Sequence, residues 1–93
     1  MLYTIIVDYR DITNTSQINA STPSDAFIAW RNNQIAKNEL GISKNEMIKF
    51  KNEFDEDLHT PIQINNLSKV WCADLPFLSN YMSIIIVETV SNA

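Results

Sequence analysis

Apolar side chains recur at every second position across residues 3–9, where Tyr3, Ile5, Val7 and Tyr9 fall on one side of an extended chain. The alternate positions, Leu2, Thr4, Ile6 and Asp8, are partly apolar as well, which predicts a central strand with both faces occupied. Arg10-Asp11 marks a turn. Beyond it, residues 12–20 alternate more cleanly: Ile12, Ile18 and Ala20 share a side with Asn14 and Ser16, against Thr13, Thr15, Gln17 and Asn19. One apolar side and one wet side predicts an edge strand of an antiparallel sheet.

The period then changes. Thr22-Pro23-Ser24-Asp25 and Ser43-Lys44-Asn45-Glu46 each place a hydroxyl where it accepts a first-turn N–H, with an acid three residues on to reach back to the cap. Pro23 at the first helical position loses no bond, because that N–H has no intrahelical acceptor. The first helix is predicted from Pro23 to about Asn38, with Ala26, Phe27, Trp30 and Gln34 in one stripe and Ala29 and Ala36 beside it. Leu40-Gly41 reads as its end, since glycine tolerates the left-handed conformation. The second helix, residues 44–53, offers Met47, Phe50 and Phe54 at spacings of three and four.

Residues 55–61 read as irregular, and residues 61–64 fit either a short strand or an extended lead-in. Residues 68–74 read as a third strand. Residues 83–90 read as a fourth, with Ile84, Ile85, Ile86 and Val87 consecutive, as expected where both sheet faces are covered. The predicted fold is α+β: a four-stranded, mainly antiparallel sheet in the order 2-1-4-3, two helices on one face, ββααββ, in a single domain over residues 1–93. Strands 1 and 4 at the centre give the sheet its driest middle.

Composition narrows the function classes. A chain of 93 residues buries roughly 60–68% of its unfolded surface, enough for one core. The net charge of −4 repels phosphate backbones and anionic lipid surfaces. The bases of residues 31–51 are scattered at mixed helical phase, so neither a nucleic-acid nor a membrane partner is expected. Cys72 is the single cysteine, so no intramolecular disulfide forms. The opening Met1-Leu2-Tyr3-Thr4-Ile5-Ile6-Val7 lacks a basic leader and a cleavage site, and the longest apolar run, residues 84–87, is too short to span a bilayer. A cytoplasmic location is the expectation.

No residue set amounts to catalytic or metal-binding chemistry, so neither an enzyme nor a cofactor is expected. A single glycine excludes a glycine-rich phosphate loop. Asp55-x-Asp57 spaces two oxygens as calcium sites do, without the glycine or the downstream bidentate acid. His59 and Cys72 with nearby acids make a poor zinc set. Cys72 as a nucleophile paired with His59 is weighed against a small hydrophobe inside a strand, and the second reading is preferred. Asp8, Arg10 and Asp11 suggest a local ion pair at the first turn.

The features that invite a partner are different. Glu53, Asp55, Glu56 and Asp57 form the densest charge cluster and suit a cationic protein surface, against the alternative of a solvated connection. Trp30 reads as core. Trp71, with Lys69 and Ala73 on its side, is divided between core packing and a surface that looks away from the helices. Residues 75–81, with Leu75, Pro76, Phe77, Leu78 and Tyr81, read as an unusually apolar hairpin loop, folded over the sheet end or open to a partner.

The strand at residues 3–9, followed by a second strand and the helix start at residues 20–26, resembles the opening of HicB-type antitoxins over about the first third of the chain. The second half departs from them, because nothing in it resembles their DNA-binding segment. The whole chain is similar to the small, acidic, single-domain immunity proteins that neutralise bacterial toxins. That resemblance implies a bacterial protein that blocks a basic toxin or nuclease; it carries over no residues, and Glu53, Asp55, Glu56, Asp57, Trp71, Phe77 and Tyr81 are the candidate contacts read from the chain itself. The alternative is a homodimeric scaffold joined through the exposed sheet face or the loop at residues 75–81.

Overall fold

The structure, a computed structural model, describes residues 1–53, 61–65, 67–77 and 80–89. Side chains are not described at 52, 53, 74–77, 80 and 81. Its elements are β1 (Leu2–Tyr9), β2 (Ile12–Asn19), α1 (Pro23–Lys37), α2 (Lys44–Glu53), β3 (Ile62–Gln63), β4 (Val70–Phe77) and β5 (Asn80–Thr89). The strands form one antiparallel sheet in the order β2-β1-β5-β4-β3. The α+β class follows from the sequence. The strand count is a correction, because five strands are present where four were expected: residues 62–63 pair with Cys72 and Trp71 at the sheet edge. The four longer strands lie in the anticipated order.

The β1–β2 hairpin turns on Arg10, whose φ of 55° is the left-handed conformation that two-residue hairpin loops need at their first central position. Both helices start at their hydroxyl caps. Asp25 N–H donates to Thr22 Oγ1 at 3.1 Å, and Glu46 N–H donates to Ser43 Oγ at 3.1 Å. The first helix ends earlier than Leu40-Gly41 suggested. Asn38 takes the left-handed cap at φ 49° and ψ 53°, and its N–H donates to the Gln34 carbonyl.

One side of the sheet carries the core. Tyr3, Ile5, Val7 and Tyr9 of β1 lie beside Ile86, Ile84 and Met82 of β5, and all are buried. Ala26, Phe27 and Trp30 of α1, Leu40 and Ile42 of the connection, and Phe50 of α2 close over them. Phe27 stacks on Trp30, and Trp30 meets Phe50 edge-on. Fully burying each such side chain contributes about 1.5–3 kcal/mol.

Two further expectations are corrected. Leu75, Pro76 and Phe77 belong to β4, while Asn80 and Tyr81 belong to β5, so most of the anticipated loop is paired strand. Glu88 N–H donates to the Lys69 carbonyl at 3.0 Å, which makes odd-numbered β4 residues the ones bonded to β5. Pro76 therefore falls at a position whose backbone faces away from β5, where its missing N–H costs no ladder bond. Trp71 does not look away from the helices. It opposes Ile86, packs edge-on against Tyr3 at 6.1 Å and adjoins the core.

Candidate functional site: the outer sheet face

The period of two that aims the β1 core residues at the helices aims Leu2, Thr4, Ile6 and Asp8 the other way. Strand register assembles these positions into rows. Thr15, Ile6, Ile85, Cys72 and Ile62 are successive cross-strand partners across all five strands. Gln17, Thr4, Val87 and Val70 form the next row, and Asn19, Leu2 and Thr89 the one beyond. Among the described residues, both helices lie on the opposite side, shown by the α1 contacts with β1, β2 and β5 and by the burial of Phe50 against Trp30. Leu2, Ile6, Val70, Cys72, Ile85 and Val87 are half-buried by their neighbours, and Ile62 is 71% exposed.

Polar groups frame this apolar centre. Gln17 Nε2 donates to Thr4 Oγ1 at 3.3 Å, and Thr4 and Thr89 share a hydroxyl–hydroxyl bond. At the other end, exposed Asp8 accepts from the Thr13 hydroxyl. Four strands of at least eight residues, ~4.8 Å apart and rising ~3.3 Å per residue, give a face of roughly 500 Å².

The residues singled out from the sequence are dispersed. Glu53 ends α2, and Asp55, Glu56, Asp57 and His59 lie outside the described residues. Phe77 and Tyr81 are placed by backbone only, in β4 and β5. Trp71 is on the core side. Cys72 is half-buried on the outer face and does not enter the helix-side core. Arg10 pairs across the fold with Glu46 of α2, 3.4 Å away, and lies over the Tyr9 ring at 4.9 Å. This replaces the expected local pairing with Asp8 and Asp11. It also draws the Glu46 carboxylate to Arg10, where the sequence had suggested a reach back to the cap.

Among the described residues, the ionisable groups with a shift, Tyr3 and Tyr9, lie on the core side. Burial pushes the Tyr3 phenol up, aided by the charges of Glu88 and Asp25. Burial also raises Tyr9, against the opposing pull of Arg10. Among the described residues no three His, Cys, Asp or Glu side chains are grouped to hold a metal ion, and no helix is long and apolar enough to cross a membrane. A shallow depression of about 400 Å³, lined among the described residues by Gln63, Ile64, Asn65, Leu67 and Ser68, has no ionisable side chain among them.

Sequence reasoning anticipated an exposed sheet face only as the dimer surface of the scaffold alternative and did not identify the residues that make it up. The signal was there in Leu2 and Ile6, read as marks of a central strand, and only register joins them to Val87, Ile85, Cys72 and Ile62. Comparison with known proteins finds no matching family model, no matching curated protein and no matching solved structure.

Proposed function

We propose that this chain is a non-enzymatic protein-binding domain that engages its partner through the outer sheet face. The observation that carries the reading is the apolar row Ile6–Ile85–Cys72–Ile62, continuous across four strands on the side away from the helices, with no element over it among the described residues. A flat apolar centre with a hydroxyl and amide frame has the composition of a protein contact surface, in which apolar burial gives affinity and the polar rim fixes orientation. A small-molecule site is instead concave and encloses most of its ligand.

The partner is a basic protein, in the manner of an immunity or inhibitor protein that occludes a toxin or nuclease. The net charge of −4, to which Glu53, Asp55, Glu56 and Asp57 contribute, attracts a cationic surface at long range and accelerates encounter. The outer face itself then supplies the short-range contact. At roughly 500 Å², polar margins included, it is smaller than the ~800 Å² per partner of a standard stable interface, so surface beyond the sheet face contributes as well.

Affinity capture of basic proteins from the source cells, followed by binding kinetics at low and high salt, tests this. Ile62→Asp changes an exposed side chain at the sheet edge, while Asp25→Asn on the helix side serves as a control. The expected result is a basic partner whose association slows as salt rises and whose affinity falls about tenfold with Ile62→Asp and little with Asp25→Asn. A partner held equally by Ile62→Asp and wild type, or the recovery of acidic partners alone, overturns the proposal.

A further inference from the structure

The two edges of the sheet are built differently. On one side, among the described residues, β3 is two residues long and covers only Trp71 and Cys72 of β4; the rest of that edge is β4 itself, which carries Asp74 and Pro76, a charge and a missing N–H that blunt it as a template. On the other side β2 runs for eight residues, Ile-Thr-Asn-Thr-Ser-Gln-Ile-Asn, in unbroken register with β1. It contains no charged residue, no proline and no glycine, and no bulge interrupts its pairing. These are the devices by which sheet edges are protected from further pairing, and β2 has none of them. Among the described residues β1 is its single strand neighbour.

Hydrogen-bond parity identifies the groups that are free. Ala20 N–H donates to the Met1 carbonyl at 3.0 Å, so even-numbered residues of this strand bond toward β1. The N–H and C=O groups of Thr13, Thr15, Gln17 and Asn19 therefore point outward along the edge. Their side chains are exposed.

We infer that β2 is a dimerisation edge, pairing antiparallel with β2 of a second copy of this chain across a two-fold axis at Thr15. That register sets outward-facing Thr13 opposite Gln17 of the copy and Thr15 opposite its own counterpart, as the bonding parity requires. It also sets Asn14 opposite Ser16 and Ile12 opposite Ile18. Ile12 is 36% exposed, and the Ser16 hydroxyl is buried with no partner among the described residues. The first gains an aliphatic cross-strand neighbour and the second an amide within reach. A charge-free strand that complements itself favours a second copy over a basic partner, which would find no opposing charge there. Pairing uses up β2 in both copies and leaves as outer edges, among the described residues, the two-residue β3 strands and the part of β4 beyond them, where Pro76 has no N–H to offer, so assembly stops at two. This surface is separate from the outer face near Ile62, and the inference stands or falls without the proposed partner.

Sedimentation equilibrium of the full chain across micromolar to millimolar concentrations tests it, with two variants at the axis. Thr15→Pro removes an outward N–H while leaving the β1 ladder intact, and Thr15→Lys brings two ammonium groups together across the two-fold. Circular dichroism identifies whichever variant keeps the wild-type fold. The expected result is a wild-type monomer–dimer equilibrium, with slowed amide exchange at Thr13, Thr15 and Gln17 at high concentration. A folded variant should lose dimerisation at least tenfold. A wild type that stays monomeric, assembles into open polymers, or pairs undiminished in a folded Thr15 variant overturns the inference.

Discussion

Gln34 Oε1 accepts the backbone N–H of Leu40 at 3.2 Å, linking the last turn of α1 to the connection that follows it. Gln34 is 2% exposed, the one buried polar side chain of the described core. Its Nε2 donates to Asn38 Oδ1, which also accepts from Ile42 N–H, while Asn38 Nδ2 donates to the Ile42 carbonyl at 2.7 Å. Two amide side chains thereby satisfy the backbone of a turn that buries Leu40 and Ile42. Gln34→Leu keeps the volume and removes the acceptor, stranding the buried Leu40 N–H. We expect a loss of about 1–3 kcal/mol in denaturant unfolding. A loss below the error of the measurement would show that the turn holds without Gln34.

The two hydroxyl caps are a matched pair in different surroundings. Thr22→Ala and Ser43→Ala should each cost about 1 kcal/mol by removing an acceptor 3.1 Å from a first-turn N–H. Thr22→Asp and Ser43→Asp should recover most of it, since aspartate caps equally well. Thermal unfolding of the six chains, wild type included with a double alanine variant, checks both the size and the additivity.

Phe50 reaches the core from the shorter helix and meets Trp30 at 6.1 Å with ring planes 81° apart. Phe50→Ala removes the main anchor of α2 and should cost about 3–5 kcal/mol, a large share of the stability of a domain this size. Phe50→Leu should cost clearly less. Amide exchange is expected to show α2 opening first in the alanine variant, and uniform exchange across both helices would contradict that anchoring role.

The phenols of Tyr3 and Tyr9 set the alkaline limit. Burial is the main cause of the upward shift in both, and folding holds each above its unfolded value of 10.0. The unfolded chain therefore releases these protons first as pH rises. Stability from this source is fully present below pH ~10 and is lost as pH climbs through the folded values. Tyrosinate absorbance should titrate late, and Tyr3→Phe should move the alkaline unfolding midpoint upward. Titration of both phenols at the ordinary value would contradict this.

Local signals were legible in the sequence where one segment decides its own structure. The hydroxyl caps of both helices, the alternation of β1 and β2, and the stripe of Ala26, Phe27, Trp30 and Gln34 all appear as read. What was hidden depends on partners distant in sequence. Lys69 suggested a wet side for Trp71, yet it precedes the strand and bridges to Glu88 at 3.8 Å, so its polarity says nothing of where Trp71 faces. Residues 75–81 read as a loop, and that Pro76 fits inside β4 depends on hydrogen-bond parity with β5, which the sequence does not display. The outer face was illegible for the same reason, since its rows exist only once Ile6, Ile85, Cys72 and Ile62 are brought into register.

The pairing of β1 with β5 also has a cost in time. Ile5 and Ile86 lie directly opposite each other yet are 81 positions apart in the chain, 86 − 5. Before that loop closes, β1 has no strand on its β5 side, and the helices that cover Ile5 and Val7 have half a floor to rest on. During synthesis the sheet's middle cannot form until β5 has left the ribosome, after every other element of this sheet is already out. Chains stalled before β5 would be exposed to proteases and chaperones for as long as the stall lasts.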